Sequence, residues 1–146
     1  MIEVTKQVRF EMAHRIYGYN GLCGTIHGHS YVASATIQGL PSKDMGIVVD
    51  FSELKSSLST ITDRLLDHSL LLAANDPLAK IIEPHCSRLV LTSHPATAET
   101  ISQILFNSLH ITYGEALTSV AVQETATSLA TARSANPDYS LVKIKV

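Results

Sequence analysis

At 146 residues the chain has the length of one domain, enough to bury roughly two thirds of its unfolded surface. A hydrophobic fraction of 45%, a charged fraction of 16% and a net charge of -2 describe a globular protein and exclude the basic footprint of a nucleic-acid binder. Charges within residues 1–6 interrupt any signal-peptide core, and no apolar run reaches the roughly 18 residues of a membrane span. A cytoplasmic protein with neither nucleic-acid nor membrane partners is therefore expected, and its two cysteines, Cys23 and Cys86, are read as free thiols.

The first segment alternates. Ile2, Val4, Val8, Phe10 and Met12 share one face, with Lys6 the exception, and Glu3, Thr5, Gln7, Arg9 and Glu11 take the other, which predicts a long half-buried strand. His14 falls at its far end on the apolar side. A glycine- and asparagine-bearing loop over residues 17–21 leads past Cys23 to a second strand, about 27–38, whose one face carries His27, His29, Tyr31, Ala33, Ala35 and Ile37. Antiparallel pairing of these two strands brings His14 to His27 and His29.

After the turn residues 39–44 and a short apolar stretch, Asp50 with Glu53 three residues on marks a helix start. Phe51, Leu54, Leu58, Ile61 and Leu65 form its apolar stripe, and the helix is expected to end near Leu66, just before Asp67 and His68. Between 73 and 96 the breakers Asp76-Pro77 and Glu83-Pro84 leave a short helix at 78–82 and a short strand at 88–91. A second long helix is predicted over about 98–113, closed by Gly114. Two strands end the chain: 116–125, with Val120, Val122 and Glu124 on one face, and 139–146, with Val142, Ile144 and Val146 together; the small polar residues 125–136 read as a mobile loop.

Three imidazoles suit zinc, and three protein ligands with one open position is the pattern of a catalytic site. Cys23 is either a fourth ligand, which would make the site structural, or a reactive thiol served by a base. His68 is the candidate base with Asp67 as its orienting carboxylate; equally, the two form a helix C-terminal pair, since adjacent residues on a regular element point apart. Glu124, at the end of an apolar row, is either solvated or matched to a ligand with two adjacent N–H donors, as on a pterin or guanine edge.

Together these residues resemble the family of 6-pyruvoyl-tetrahydropterin synthases and 6-carboxy-tetrahydropterin synthases. The resemblance runs through Phe10-Glu11-Met12-Ala13-His14, Cys23 to Tyr31, Gly46 to Phe51, Leu66-Asp67-His68, Thr97-Ala98-Glu99 and Gln123-Glu124-Thr125. It implies a zinc site at His14, His27 and His29, proton transfer by Cys23 with Asp67 and His68, and pterin binding by Glu124 with Thr97 and Glu99. It also implies one α+β domain over 1–146 with the tunnelling fold: a four-stranded antiparallel sheet with two helices on one face, assembled as a homo-oligomer of trimers and hexamers with active sites between subunits.

Three residues separate Cys23 from His27, a spacing similar to that of the carboxy-tetrahydropterin enzymes. The resemblance thus implies conversion of 7,8-dihydroneopterin triphosphate to 6-carboxy-5,6,7,8-tetrahydropterin, in the queuosine pathway. The alternatives are a pyruvoyl-tetrahydropterin synthase and a non-catalytic pterin-binding module. Two departures from the family pattern stand out: Ser93-His94-Pro95-Ala96 precedes Thr97, and the stretch 127–137 is long. Arg9, Arg15, Lys43 and Lys55 are the candidates for holding a triphosphate.

Overall fold

The computed structural model describes residues 1–146. Strands β1 (Ile2–His14) and β2 (His27–Gly39) pair antiparallel along their whole length, His14 facing His27 and Met12 facing His29 across the ladder. The alternation has its expected consequence: Val8, Phe10, Met12 and His14 on β1, and Tyr31, Ala33, Ala35 and Ile37 on β2, are all buried.

Helix α1 (Phe51–Ile61) starts where Asp50 accepts a hydrogen bond from the Ser52 N–H at 2.7 Å. Its Leu54 and Leu58 are fully buried, and the chain widens into a π-helical turn, Thr62–Leu66, before leaving the helix. Helix α2 (Leu78–Ile82) lies between two short strands, β3 (Ser69–Ala73) and β4 (Leu89–Thr92). Helix α3 (Ala98–Tyr113) begins with Thr97 accepting from the Thr100 N–H and ends at Gly114, where φ is +51°. Strands β5 (Leu117–Thr125), β6 (Ser128–Ala132) and β7 (Leu141–Lys145) complete the chain.

The strands form one mixed sheet in the order β6-β5-β2-β1-β3-β4-β7. This corrects the expected four-stranded antiparallel sheet with two helices: seven strands and three α-helices are present, and the β1–β3 and β3–β4 pairs are parallel. Two strands escaped the pattern for physical reasons. The run Leu70-Leu71-Leu72 does not alternate because β3 is covered on both faces: Leu71 joins the main core beneath α1 and α3, while Leu70 and Leu72 pack with Leu89 and α2 on the other side. The expected mobile loop at 125–136 contains β6, whose small residues pair with β5 at the sheet edge.

The final strand is shorter than the expected 139–146. β7 pairs with β4, and the apolar row is exposed: Val142 is 57% and Ile144 46% accessible. Both ends of the sheet, β6 and β7, are thus open edges that carry apolar side chains.

Candidate active site

Three imidazoles converge where β1 and β2 end. The ring centroids of His14 and His27 lie 4.5 Å apart, of His14 and His29 5.2 Å, and of His27 and His29 4.9 Å. Backbone carbonyls fix two of these rings. His14 Nδ1 donates to Ala96 O at 2.6 Å and His27 Nδ1 to Thr25 O at 2.8 Å, which leaves each Nε2 as the free lone-pair nitrogen. Burial lowers the His14 pKa, with help from the other two histidines and against the pull of the Ala96 carbonyl and Glu124, so the ring is held neutral.

Glu124 reaches the same point from β5. It falls where the β5–β6 register shifts, a place where a bulge re-aims a side chain. Its Oε1 is 3.0 Å from His29 Nε2 and 3.9 Å from His14 Nε2, and the four ligand atoms all lie within 4.8 Å of one another. His14 Nε2 and His29 Nε2 are nevertheless buried without a hydrogen-bond partner. Buried lone pairs left unsatisfied are costly, and nitrogens aimed at one point beside a carboxylate fit a divalent cation. The residues present therefore suit zinc.

Cys23 sits on a single 3₁₀ turn, Leu22–Gly24, as a partly exposed free thiol. The turn is held by the Ile16 N–H donating to Cys23 O at 2.8 Å. Gly24 is required there, because a Cβ would lie 2.3 Å from Tyr19 O. Cys23 and Glu124 are the ionisable groups that bear on the hydroxyl of Tyr31, which is fully buried, stacked on Phe10 and without a hydrogen-bond partner. Burial first, then those two charges, raise the Tyr31 pKa far above its ordinary value.

Asp67 and His68 do form a pair, and the backbone shows how. His68 is the one non-glycine residue with positive φ, +57°, which turns its ring back so that Nδ1 donates to Asp67 Oδ2 at 2.7 Å. Glu11 brackets the pair: its N–H donates to Asp67 Oδ1 at 2.8 Å and its carbonyl accepts from the His68 N–H at 2.6 Å. Burial raises the Asp67 pKa, but the bonds from Glu11 and His68 and the charge of Arg88 outweigh it and leave the carboxyl below its ordinary value.

The pair lies on the sheet face of Glu11 and Ser30, the face opposite the three imidazoles. There His68, 74% exposed, borders a hollow of about 410 Å³ with Glu11, Gly28, His29 and Ser30. Neither Asp67 nor His68 hydrogen-bonds Cys23. Within one chain the structure thus joins the histidines to Glu124, sets Cys23 on the turn between their two strands, and leaves the Asp67–His68 pair without a bond to Cys23.

Thr97 is half-buried as the cap of α3, and Glu99 is exposed in its first turn. Arg15 is already engaged: its guanidinium makes a two-point bond to the buried Asp76, at 2.7 and 2.5 Å. Arg9 and Lys55 share a surface hollow of about 460 Å³, and Lys43 stands exposed in the loop after β2. The reading from sequence did not find the Ala96 and Thr25 carbonyls, the Glu11 bracket or the Tyr31 hydroxyl. Backbone acceptors leave no trace in residue identity, and Tyr31 reads only as a member of an apolar row.

A family profile described as 6-pyruvoyl tetrahydropterin synthase matches residues 3–135. The 6-carboxy-5,6,7,8-tetrahydropterin synthase of Rickettsia bellii is 37% identical over 112 residues, covering 75% of this chain and 80% of that protein. The protein of the same name from Haemophilus influenzae is 29% identical over 135 residues, covering 88% and 96%. Among solved structures, an uncharacterized protein of Wolinella succinogenes superposes with a TM-score of 0.74 at 20% identity, covering 90% of this chain and 97% of that one. The 6-pyruvoyl tetrahydropterin synthase of Caenorhabditis elegans superposes with a TM-score of 0.70 at 22% identity, covering 92% and 96%. These structural likenesses carry the fold, an α+β tunnelling fold whose sheet is mixed in this chain. No helix is long and apolar enough to cross a membrane.

Proposed function

The chain belongs to the 6-pyruvoyl tetrahydropterin synthase family, and from that premise we propose that it is a zinc-dependent 6-carboxy-5,6,7,8-tetrahydropterin synthase. Its substrate is 7,8-dihydroneopterin triphosphate, which with one water yields the carboxy-tetrahydropterin, acetaldehyde and triphosphate. The observation that carries this reading is the convergence of His14, His27, His29 and Glu124 with two imidazole nitrogens buried and unpartnered. The names of the curated relatives and the Cys23-to-His27 spacing support the carboxy product over the pyruvoyl one.

In this reading His14, His27 and His29 hold the zinc. When bound, the ion supplies Lewis acidity to hydroxyls of the substrate side chain. Glu124 accepts the paired N–H donors of the pterin ring, with Thr97 and Glu99 contributing from the start of α3. Cys23 takes a proton from the side chain as thiolate, and His68, oriented by Asp67, returns one. Because neither Asp67 nor His68 bonds Cys23 within a single chain, this reading has them act together across a subunit boundary. The exposed apolar residues on β6 and β7, Leu129, Val142 and Ile144, support a homo-oligomer, trimer or hexamer.

The test is to incubate zinc-loaded protein with 7,8-dihydroneopterin triphosphate and identify the products by mass. Acetaldehyde with 6-carboxy-tetrahydropterin is expected. Appearance of 6-pyruvoyl-tetrahydropterin moves the chain to the other branch of its family, and binding without turnover makes it a pterin-binding module.

A further inference from the structure

We propose that Arg88 is the positioning residue of the Asp67–His68 pair: its guanidinium holds the peptide that links the two residues in the orientation from which the His68 ring reaches the Asp67 carboxylate. This rests on the function proposed above, in which His68 returns a proton, and adds a residue outside the stretches that carry the family likeness.

Three observations carry it. The first is the backbone of His68. A residue with a Cβ enters the left-handed region when its surroundings impose it, and His68 has φ +57° while its ring, 74% exposed, is packed too little to impose anything. The constraint therefore acts on the main chain. The second is what grips that chain. The Asp67 carbonyl and the His68 N–H belong to one planar unit, and both ends of it are bonded. On the side of β1 the His68 N–H donates to Glu11 O at 2.6 Å, and on the side of β4 Asp67 O accepts from Arg88 Nε at 3.0 Å. Turning this peptide over, the motion that changes His68 φ, breaks both bonds at once.

The third is the rest of the arginine. Its Nη2 donates to Arg64 O at 2.9 Å and Asp63 O at 3.4 Å in the π-helical turn, and its own carbonyl accepts from the Leu70 N–H at 2.9 Å. One half-buried residue thus ties the segment before the pair to the strand after it. Bonding carbonyls in two directions needs a planar fork, which a lysine ammonium on a flexible stem does not reproduce. Ending the helix requires none of this, since glycine takes the left-handed position without steric cost. What the arginine adds is a histidine held there, with Nδ1 bonded to Asp67 at 2.7 Å and Nε2 left for proton transfer.

The experiment reads the tautomer of His68, which needs no turnover. Long-range proton–nitrogen spectra of zinc-loaded protein are recorded well above the ordinary histidine pKa of about 6.5, with the His68 signals assigned by their absence from His68→Gln. Wild type should show His68 protonated at Nδ1 and bare at Nε2. In Arg88→Lys and in Arg88→Ala, His68 should show the averaged signals of a free imidazole while His14 and His27 keep their Nδ1 protons. Turnover should follow: kcat on 7,8-dihydroneopterin triphosphate falls about tenfold in both variants with KM unchanged. Millimolar guanidinium should restore Arg88→Ala and leave His68→Ala inactive. His68 still protonated at Nδ1 in either variant makes Arg88 a helix cap and overturns the proposal, as does a wild type lacking that tautomer, or loss of the His14 and His27 protons along with it. Should Arg88→Ala fail to fold, Arg88→Lys decides. If wild type leaves the substrate unreacted, the assigned reaction falls and the nitrogen spectra still decide what Arg88 holds in place.

Discussion

His14 is placed so that one side chain serves both the fold and the site. One nitrogen is bonded to the Ala96 carbonyl, the other is presented to the cation position, and the ring is 1% exposed. His14→Ala should cost stability as well as metal, about 2–4 kcal/mol, because it opens a cavity and leaves a buried carbonyl without its donor. His27 is less buried, so His27→Ala should lose comparable zinc with a smaller shift. Zinc content per chain and urea unfolding of the metal-free proteins separate the two effects. The neighbouring Arg15–Asp76 pair gives a pH prediction. The bond from Arg15 lowers the Asp76 pKa despite burial, so the pair stabilises the chain above the unfolded aspartate value of about 3.9, and that contribution disappears as pH falls through the lower folded value. Asp76→Asn should therefore be less stable than wild type by about 3 kcal/mol at neutral pH, with the gap narrowing below about pH 4.

At the scale of elements, the first departure from the family pattern packs against residues 138–140, just beyond the second, which is held from α3. Ser93 accepts from the Ser140 N–H and donates to Asp138 O, and His94 stacks on Tyr139 at 3.9 Å. From α3, Asn107 donates to Asn136 O and Tyr139 O and accepts from the Asn136 N–H, while Gln103 donates to Ser134 O. The segment before β7 is thus strapped to the turn that delivers Ala96 to His14. Asn107→Ala removes the centre of this strap, and we expect roughly 2–3 kcal/mol of destabilisation with protease cleavage appearing between residues 133 and 140; an intact segment under limited proteolysis would argue against it. The strap also marks the boundary of what the sequence discloses. Strict alternation put His14, His27 and His29 on one face, the cap at Asp50 marked the start of α1, and Gly114 marked the end of α3. Strand β3 was hidden because burial on both faces erases alternation, β6 because its small residues resemble a loop, and the exposed face of β7 because apolarity alone does not say which face is covered. The Asp67–His68 bond was hidden because a left-handed histidine is a backbone fact set by its neighbours.

For the whole molecule, the decisive feature is that the three imidazoles and the Asp67–His68 pair occupy opposite faces of one sheet, with Cys23 bonded to neither member of that pair. Cys23 lies on the turn between the two histidine-bearing strands, whereas His68 opens beside Glu11 and Ser30. A sheet cannot turn a side chain through itself, so a site that uses both must draw them from different copies. Cys23→Ala and His68→Ala should each be folded, bind neopterin, and turn over substrate at least 100-fold more slowly than wild type. Mixed under conditions that exchange subunits, the two inactive variants should regain activity. With random exchange of equal amounts, a site takes an intact Cys23 from one copy and an intact His68 from another in about one quarter of cases, so recovery should approach about 25% of wild type. Fresh mixtures that have not exchanged should remain inactive. If exchange is verified by mass and the mixture still shows no recovery, the two residues do not share a site across subunits, and Cys23 must find its base among groups of its own chain.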